Sequence, residues 1–177
     1  MSETSDKELL NRVSRKDKNA MRSIYDRYAP GLHRFAENSL AHKDDAADVV
    51  HDTMLDVWRT AENFAGRASV KTWIFTIARN KSVDRNRRSA RVVLAAAETE
   101  IPSDTPSPEV TIQSCQNAER IRGCIEVLSP THKRAIQLAF FEGFTYTEVA
   151  EIEGRSVGTI KTRIMHAKQL LMHCLSH

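Results

Sequence analysis

Gly66-Arg67-Ala68-Ser69-Val70-Lys71-Thr72-Trp73-Ile74-Phe75-Thr76-Ile77-Ala78-Arg79-Asn80-Lys81-Ser82-Val83-Asp84-Arg85-Asn86-Arg87-Arg88 is the stretch on which the fold class turns. Val70, Trp73, Ile74 and Ile77 recur at helical spacing, which predicts a helix from about Ser69, its N-cap, to Arg88 with one stripe against a core. Thr72, Phe75, Thr76, Arg79 and Asn86 fall on the opposite face, where burial against the helix's own core does not account for them. An exposed Phe beside Arg and Asn suggests a surface that meets something; the alternative is a solvated face with one stray aromatic. Lys81, Arg85, Arg87, Arg88 and Arg91 follow closely. The helix dipole favours one or two cations at a C-terminus, and the surplus points to a phosphate-bearing partner.

The charge is local rather than global. The 177-residue chain has a net charge of only +3, yet residues 1–95 hold 18 Lys and Arg against 13 acids, and residues 96–177 hold 8 against 10. Hydrophobic residues at 41% suffice for folded cores in one domain or two small ones. No apolar run approaches membrane-spanning length, and the N-terminus lacks a signal peptide's basic then apolar order. The expectation is a cytoplasmic protein without membrane insertion. Cys115, Cys124 and Cys174 show no CxxC spacing and read as small hydrophobes on helices rather than a zinc site. The seven histidines are scattered. No catalytic or metal-ligating constellation converges, so no cofactor and no enzymatic turnover are expected.

Taken in order, Ser5 with Glu8 has capping-box spacing and opens a short helix through Leu9, Leu10 and Val13. A second helix, with Met21, Ile24, Tyr25 and Tyr28 inward, is expected to end at Pro30, which fits the first turn of a third helix carrying Leu32, Phe35 and Leu40. Ala47, Val50, Met54, Val57, Trp58 and Ala61 trace the next apolar stripe. Asp48, Asp52 and Asp56 stack four apart on another face, where mutual repulsion invites a reason beyond helix stability. From Ser89 to about Gln113 the pattern dissolves among Pro102, Pro106 and Pro108, as expected of a mobile linker. Helix-start signals return at Ser107-Pro108-Glu109, for a helix through Ala118, Ile121, Ile125 and Leu128, and at Ser129-Pro130, for one with Ile136, Leu138, Ala139 and Phe140. The fold class expected is all-α: two small helical domains, residues 1–91 and 108–177, joined by a flexible linker at 92–107.

The second domain ends in a helix-turn-helix pattern. Thr145 with Glu148 forms a capping box, Gly154 ends that helix, and Ser156 caps a longer one with Val157, Ile160, Ile164, Ala167, Leu171 and Cys174 inward. Thr159, Thr162, Arg163 and His166 share the outer face, flanked by Lys161 and Lys168, and such side chains suit phosphates and base edges in a major groove.

Asp48-Val49-Val50-His51-Asp52-Thr53-Met54-Leu55 with Val57-Trp58, then Phe64 through Phe75, Ile77-Ala78-Arg79-Asn80 and Asp84-Arg85, resembles region two of bacterial RNA polymerase sigma factors. Leu128-Ser129-Pro130, Glu142 through Ala150, and Ser156 through Arg163 resemble region four. With both regions in order and only a linker between them, the chain resembles the extracytoplasmic-function (ECF) group. That resemblance implies core RNA polymerase docking through Asp48, His51, Asp52, Leu55 and Asp56. It implies minus-ten recognition and melting through Asn63, Arg67, Ser69, Lys71, Thr72, Phe75, Arg79, Asn80, Arg85 and Arg88, a melted strand being held by aromatic and basic side chains. It implies duplex minus-thirty-five reading through Arg155, Ser156, Thr159, Lys161, Thr162, Arg163 and His166, and an anti-sigma factor as a further partner. His51-Asp52-Thr53-Met54 stands where the family usually has Gln-Glu-Thr-Phe. The rival from another class is a stand-alone helix-turn-helix regulator that binds duplex DNA without polymerase.

Overall fold

The computed structural model describes residues 4–96 and 116–176. Four helices form the N-terminal group: α1 (Asp6–Ser14), α2 (Lys18–Glu37), α3 (Ala46–Thr60) and α4 (Val70–Ala96). Four form the C-terminal group: α5 (Gln116–Glu126), α6 (Pro130–Ile136), α7 (Tyr146–Glu153) and α8 (Val157–Ser176). The described residues include no strand, in keeping with the all-α expectation. α4 continues through Ala96, five residues into the stretch assigned to the linker. The remainder of that stretch, Cys115 and the helix start at Ser107-Pro108-Glu109 lie outside the described residues.

Local chemistry sets the helix starts. The Ser5 hydroxyl accepts from the Glu8 amide at 3.3 Å, and the Asp17 carboxylate accepts from the Asn19 and Ala20 amides at 2.8 and 3.2 Å. Those bonds supply partners for donors that a helix N-terminus leaves open. Pro30, expected to separate two helices, instead sits inside the continuous α2. It is exposed, so the carbonyl whose helical bond it removes, that of exposed Asp26, faces water rather than a dry interior.

The N-terminal core joins Leu9, Leu10 and Val13 of α1, Ile24, Leu32 and Phe35 of α2, Val50, Met54 and Val57 of α3, and Val70, Ile74 and Ala78 of α4, all buried. Two stripe assignments shift by one position. Tyr25 is 45% exposed, and Ala47 faces outward while Val49 packs with Ala36 and Ala46.

In the C-terminal group, α6 opens as expected, the Ser129 hydroxyl accepting from the His132 amide at 3.4 Å. It then widens into a π turn, Gln137–Phe141, closed by a Glu142 amide to Gln137 carbonyl bond of 3.0 Å. The wider turn leaves Phe140, expected on the inner stripe, 52% exposed beneath the Lys168 ammonium, which stands 4.8 Å from the ring centroid. Ile121, also expected inward, is exposed. Cys124 and Cys174, read from sequence as unbonded hydrophobes, form a disulfide between α5 and α8. Packing of those helices brings Cα atoms 50 residues apart in sequence to 5.8 Å, within disulfide reach.

The two groups pack together, α7 lying against α4 while the π turn and Glu142 after it meet the C-terminal end of α2 through Asn38–Gln137 and Arg34–Glu142 contacts. Phe75 of α4 is completely buried between Phe35 of its own group, with ring centroids 5.8 Å apart, and Phe144 of the other, at 5.0 Å, both edge-on.

Ile24 is fully enclosed in the N-terminal core. Ile24→Ala is expected to lower unfolding free energy by about 2–5 kcal/mol through lost apolar contact and the cavity left behind, read as a lower urea midpoint at unchanged slope.

Candidate nucleic-acid interface

The outer side of α4 begins at a capped end. The Ser69 hydroxyl accepts from the Thr72 amide at 3.0 Å, and Gly66 in the preceding loop takes a φ of 68°, a left-handed conformation suited to glycine. Asn63, Arg67, Ser69 and Asn80 are exposed along this edge. Thr72 and Phe75, expected to face outward, are both fully buried. The prediction considered only the helix's own core; a second domain covers the other side. Thr72 Oγ1 donates to Glu148 Oε1 at 3.1 Å, Arg79 Nη2 donates to the Glu153 carbonyl at 3.2 Å, and Lys71 donates to the Glu142 carbonyl. The Lys71 ammonium also lies 4.6 Å from the Phe144 ring centroid, and the Ser69 hydroxyl reaches Glu148 Oε1 at 3.5 Å.

Glu142, Phe144, Glu148 and Glu153 are thus residues of this surface that sequence reasoning had not assigned to it. Glu148 and Phe144 carry only local signals in the sequence, and nothing local marks a partner more than 60 residues away. Burial pushes the Glu148 carboxyl up, but hydrogen bonds from the Thr145 amide and hydroxyl, Thr72 and Ser69 outweigh it and leave the group below the ordinary glutamate range.

The stacked aspartates and the basic end of α4 largely answer one another. Arg85 bridges Asp45 at 2.8 Å and Asp48 at 2.6 Å, and Lys81 meets Asp56 at 2.6 Å. Hydrogen bonding to Asp45 and then Asp48 raises the Arg85 guanidinium further, while Arg85 holds the Asp45 carboxyl below its usual value. Two of the three stacked carboxylates therefore have an internal reason. His51 and Asp52 remain exposed on that helix, with Leu55 half-buried beside them. Arg87, Arg88 and Arg91 remain exposed at the basic end.

The helix-turn-helix forms as its sequence predicts. Thr145 and Glu148 close a reciprocal capping box, Gly154 ends α7 at φ 62°, and the Ser156 hydroxyl accepts from the Thr159 amide at 3.1 Å. Arg155, Ser156, Lys161, Thr162 and His166 are exposed, and Thr159 is half-buried. Arg163 is held back: its guanidinium lies 3.6 Å from the buried Glu153 carboxylate, which Arg134 also grips through bonds of 2.9 and 3.2 Å. Glu153 thereby ties α6, α7 and α8 together at the turn.

One chain thus joins an acidic α3, packed against a basic α4, to a helix-turn-helix, the order of elements found in the sigma-70 class of proteins. The sigma-70 region 2 family matches residues 24–92 and the sigma-70 region 4 family residues 118–171. The ECF RNA polymerase sigma factor SigK of Mycobacterium sp. (strain JLS) is 30% identical over 94% of this chain and 89% of its own. SigK of Mycobacterium tuberculosis (strain ATCC 25177 / H37Ra) is 29% identical over 94% and 91%. The chain belongs to the ECF RNA polymerase sigma factors. Among solved structures, the sigma factor RpoE of Bartonella quintana, crystallised with the anti-sigma factor NepR, superposes with a TM-score of 0.69 at 29% identity, over 88% of this chain and 96% of that one. CnrH in complex with the cytosolic domain of CnrY shares the fold, with a TM-score of 0.68 at 24% identity over 97% of each chain. Among the described residues no helix is long and apolar enough to cross a membrane.

Glu148 serves both the α7 cap and the contact with Thr72, and its depressed pKa fixes the sign of a pH effect. Its stabilisation is present in full above the unfolded glutamate value and is lost as pH falls through the lower folded one. Glu148→Gln keeps an acceptor for the cap but loses the charge that strengthens these bonds, and should lower Tm by about 2–4 °C at pH 7, the scale of about 1 kcal/mol. The difference from wild type should narrow progressively as melts are taken to acid pH below the unfolded glutamate value.

Proposed function

We propose that this chain acts as a promoter-specificity subunit with a defined division of labour. His51, Asp52 and Leu55, flanked by Asp48 and Asp56, dock on core RNA polymerase. The loop from Asn63 to Ser69 and the α4 face of Lys71, Thr72, Phe75, Arg79 and Asn80 hold the melted minus-ten strand. Arg85 and Arg88 supply positive charge along its path. Arg155, Ser156, Thr159, Lys161, Thr162, Arg163 and His166 read the duplex minus-thirty-five element. The observation that carries this reading is the strip of donors and one aromatic, Lys71-Thr72-Phe75-Arg79, directly after an exposed loop and on the side of α4 that the C-terminal group covers rather than the N-terminal core alone. Single strands are gripped by such combinations because every base offers a π face and every nucleotide a phosphate.

An extruded base forfeits stacking and pairing worth a few kcal/mol, which the protein must return in contacts made only with the open strand. Donors mounted on a helix that is itself packed against α2 and α3 meet that strand without a further loss of backbone freedom. Catalytic turnover forms no part of this reading. Because RpoE of Bartonella quintana, 29% identical, is crystallised with an anti-sigma factor, we extend the same class of partner to this chain. Cytoplasmic residence follows from a role on RNA polymerase.

Run-off transcription with purified core polymerase, on a fragment carrying the protein's own upstream region, tests the reading. New, specifically initiated transcripts that require the protein are expected; no complex with core on a gel, together with no transcripts, would refute it. Asn80→Ala is expected to leave core binding intact and slow open-complex formation about fivefold or more, a loss of about 1 kcal/mol or more. Lys161→Ala is expected to weaken duplex binding for all sequences alike and reduce the salt slope by about 1.

A further inference from the structure

The turn between α1 and α2 holds one residue in a conformation that its side chain disfavours. Lys16 has a φ of 64° and is the single non-glycine residue with positive φ among the described residues. The stop of α1 imposes it. The Lys16 amide donates to the Val13 carbonyl at 2.9 Å and the Asp17 amide to the Arg12 carbonyl at 3.1 Å, a closure that glycine ordinarily completes because a Cβ is strained there.

The side chain carries what glycine would lack. The Lys16 ammonium donates to the Trp58 carbonyl at 2.9 Å, 42 residues away, and stands 5.3 Å from the centroid of the Trp58 ring. That carbonyl belongs to the last turn of α3, where a helix leaves its acceptors open and favours a cation. From there the chain enters a 3-10 turn, Ala61–Asn63, and then the exposed loop that ends at the Ser69 cap. Beside the turn the packing is open: a cleft of about 330 Å³ separates α1 from it, with Leu10, Asn11 and Ser14 on one side and Glu62, Phe64 and Gly66 on the other. Further on, the Phe64 ring meets Trp73 of α4 with centroids 5.3 Å apart. The loop is thus hung between two aromatic anchors rather than packed along its length.

We propose that Lys16 is a positioning residue for the melted minus-ten strand: its tether to the end of α3 sets where the 63–69 loop stands beside α4. The proposal rests on the reading of that loop as strand-holding. Lys16 acts through Trp58 and the 3-10 turn, not by contact with a nucleotide. A loop held before the strand arrives gives up less freedom on binding, and misplaced contacts slow the step that uses them. Backbone and side chain therefore pull in opposite directions at this position. Glycine would relieve the turn and lose the tether.

Lys16→Gly tests this because a stabilising contact and a positioning contact predict opposite results. Thermal melting and amide hydrogen exchange read by mass spectrometry are applied to the full chain. With core polymerase, permanganate reactivity of unpaired thymines follows the opening of the fragment that supports run-off transcription. Expected for Lys16→Gly is a Tm equal to wild type or higher by up to about 4 °C. Exchange in residues 61–69 should be about fivefold faster, with exchange in α2 unchanged. Core binding should be unchanged and opening slower by about threefold or more. Lys16→Arg keeps a cationic donor on a long side chain and should restore exchange and opening to within about twofold of wild type. Wild-type exchange across 61–69 in Lys16→Gly, or wild-type opening, overturns the proposal. So does a Tm lowered by more than about 2 °C, which would make the tether a plain stabilising contact. Asn80→Ala in the same opening assay separates the two readings. If it slows opening and Lys16→Gly does not, strand capture stands and the role of Lys16 falls; if neither does, the strand-capture reading fails and takes this role with it.

Discussion

The Phe75 ring is the point on which the molecule turns. It packs edge-on against Phe35 on one side and Phe144 on the other, and it is fully buried. Aromatic pairs in this geometry contribute about 0.5–1.5 kcal/mol beyond the area they bury. One side chain therefore belongs at once to the N-terminal core and to the contact between domains. Separation of the domains removes Phe144 and leaves Phe35 in place, so α4 keeps its position while one side of the ring is uncovered. A surface held in this way by its own core is pre-organised for whatever it meets.

Charge follows the same economy. The aspartates of α3 and the cations of α4 looked like separate surfaces for separate partners, yet Arg85 and Lys81 span the groove to Asp45, Asp48 and Asp56. Exposed pairs of this type contribute about 0–1 kcal/mol each, so their effect lies less in stability than in fixing which charges remain outward. What remains is segregated, with His51 and Asp52 on one helix and Arg87, Arg88 and Arg91 on the other. Glu153 plays a comparable part in the C-terminal group. A buried carboxylate without a partner would be costly, and Arg134 with Arg163 satisfies it while fixing α6, α7 and α8 around the turn. Arg163 is thereby held in one orientation on α8.

Much of this architecture is legible from the chain because its signals are local. The caps at Ser5, Ser69, Ser129, Thr145 and Ser156 form in the structure as their spacing predicts, and Gly154 ends its helix as expected. Where the reading shifted, a non-local or competing effect decided. Pro30 could be read as a boundary because sequence shows the lost hydrogen bond but not whether the freed carbonyl faces water. Phe140 left the inner stripe because a π turn adds a residue that a 3.6-residue period does not anticipate. Cys124 and Cys174 pair because α5 and α8 pack, a tertiary fact without a spacing signature. Thr72 and Phe75 were identified as residues that need a partner, and the partner in the free chain is the chain itself.

The contact between the domains is well sized for a reversible role. Among the described residues it includes a handful of hydrogen bonds, the partly buried Arg34–Glu142 pair, an exposed Lys43–Glu126 pair and the Phe75–Phe144 contact within an apolar cluster shared by both groups. Hydrogen bonds of this kind each contribute about 0.5–1.5 kcal/mol net, and part of the sum is offset by holding long side chains in one arrangement. The apolar surface that the two groups share adds to that sum. Glu148 shows why such a contact can be broken without damage to the reader: released from Thr72 and Ser69, its carboxylate still closes the capping box with Thr145. The corner that covers one side of α4 is thus also the foundation on which α8 stands.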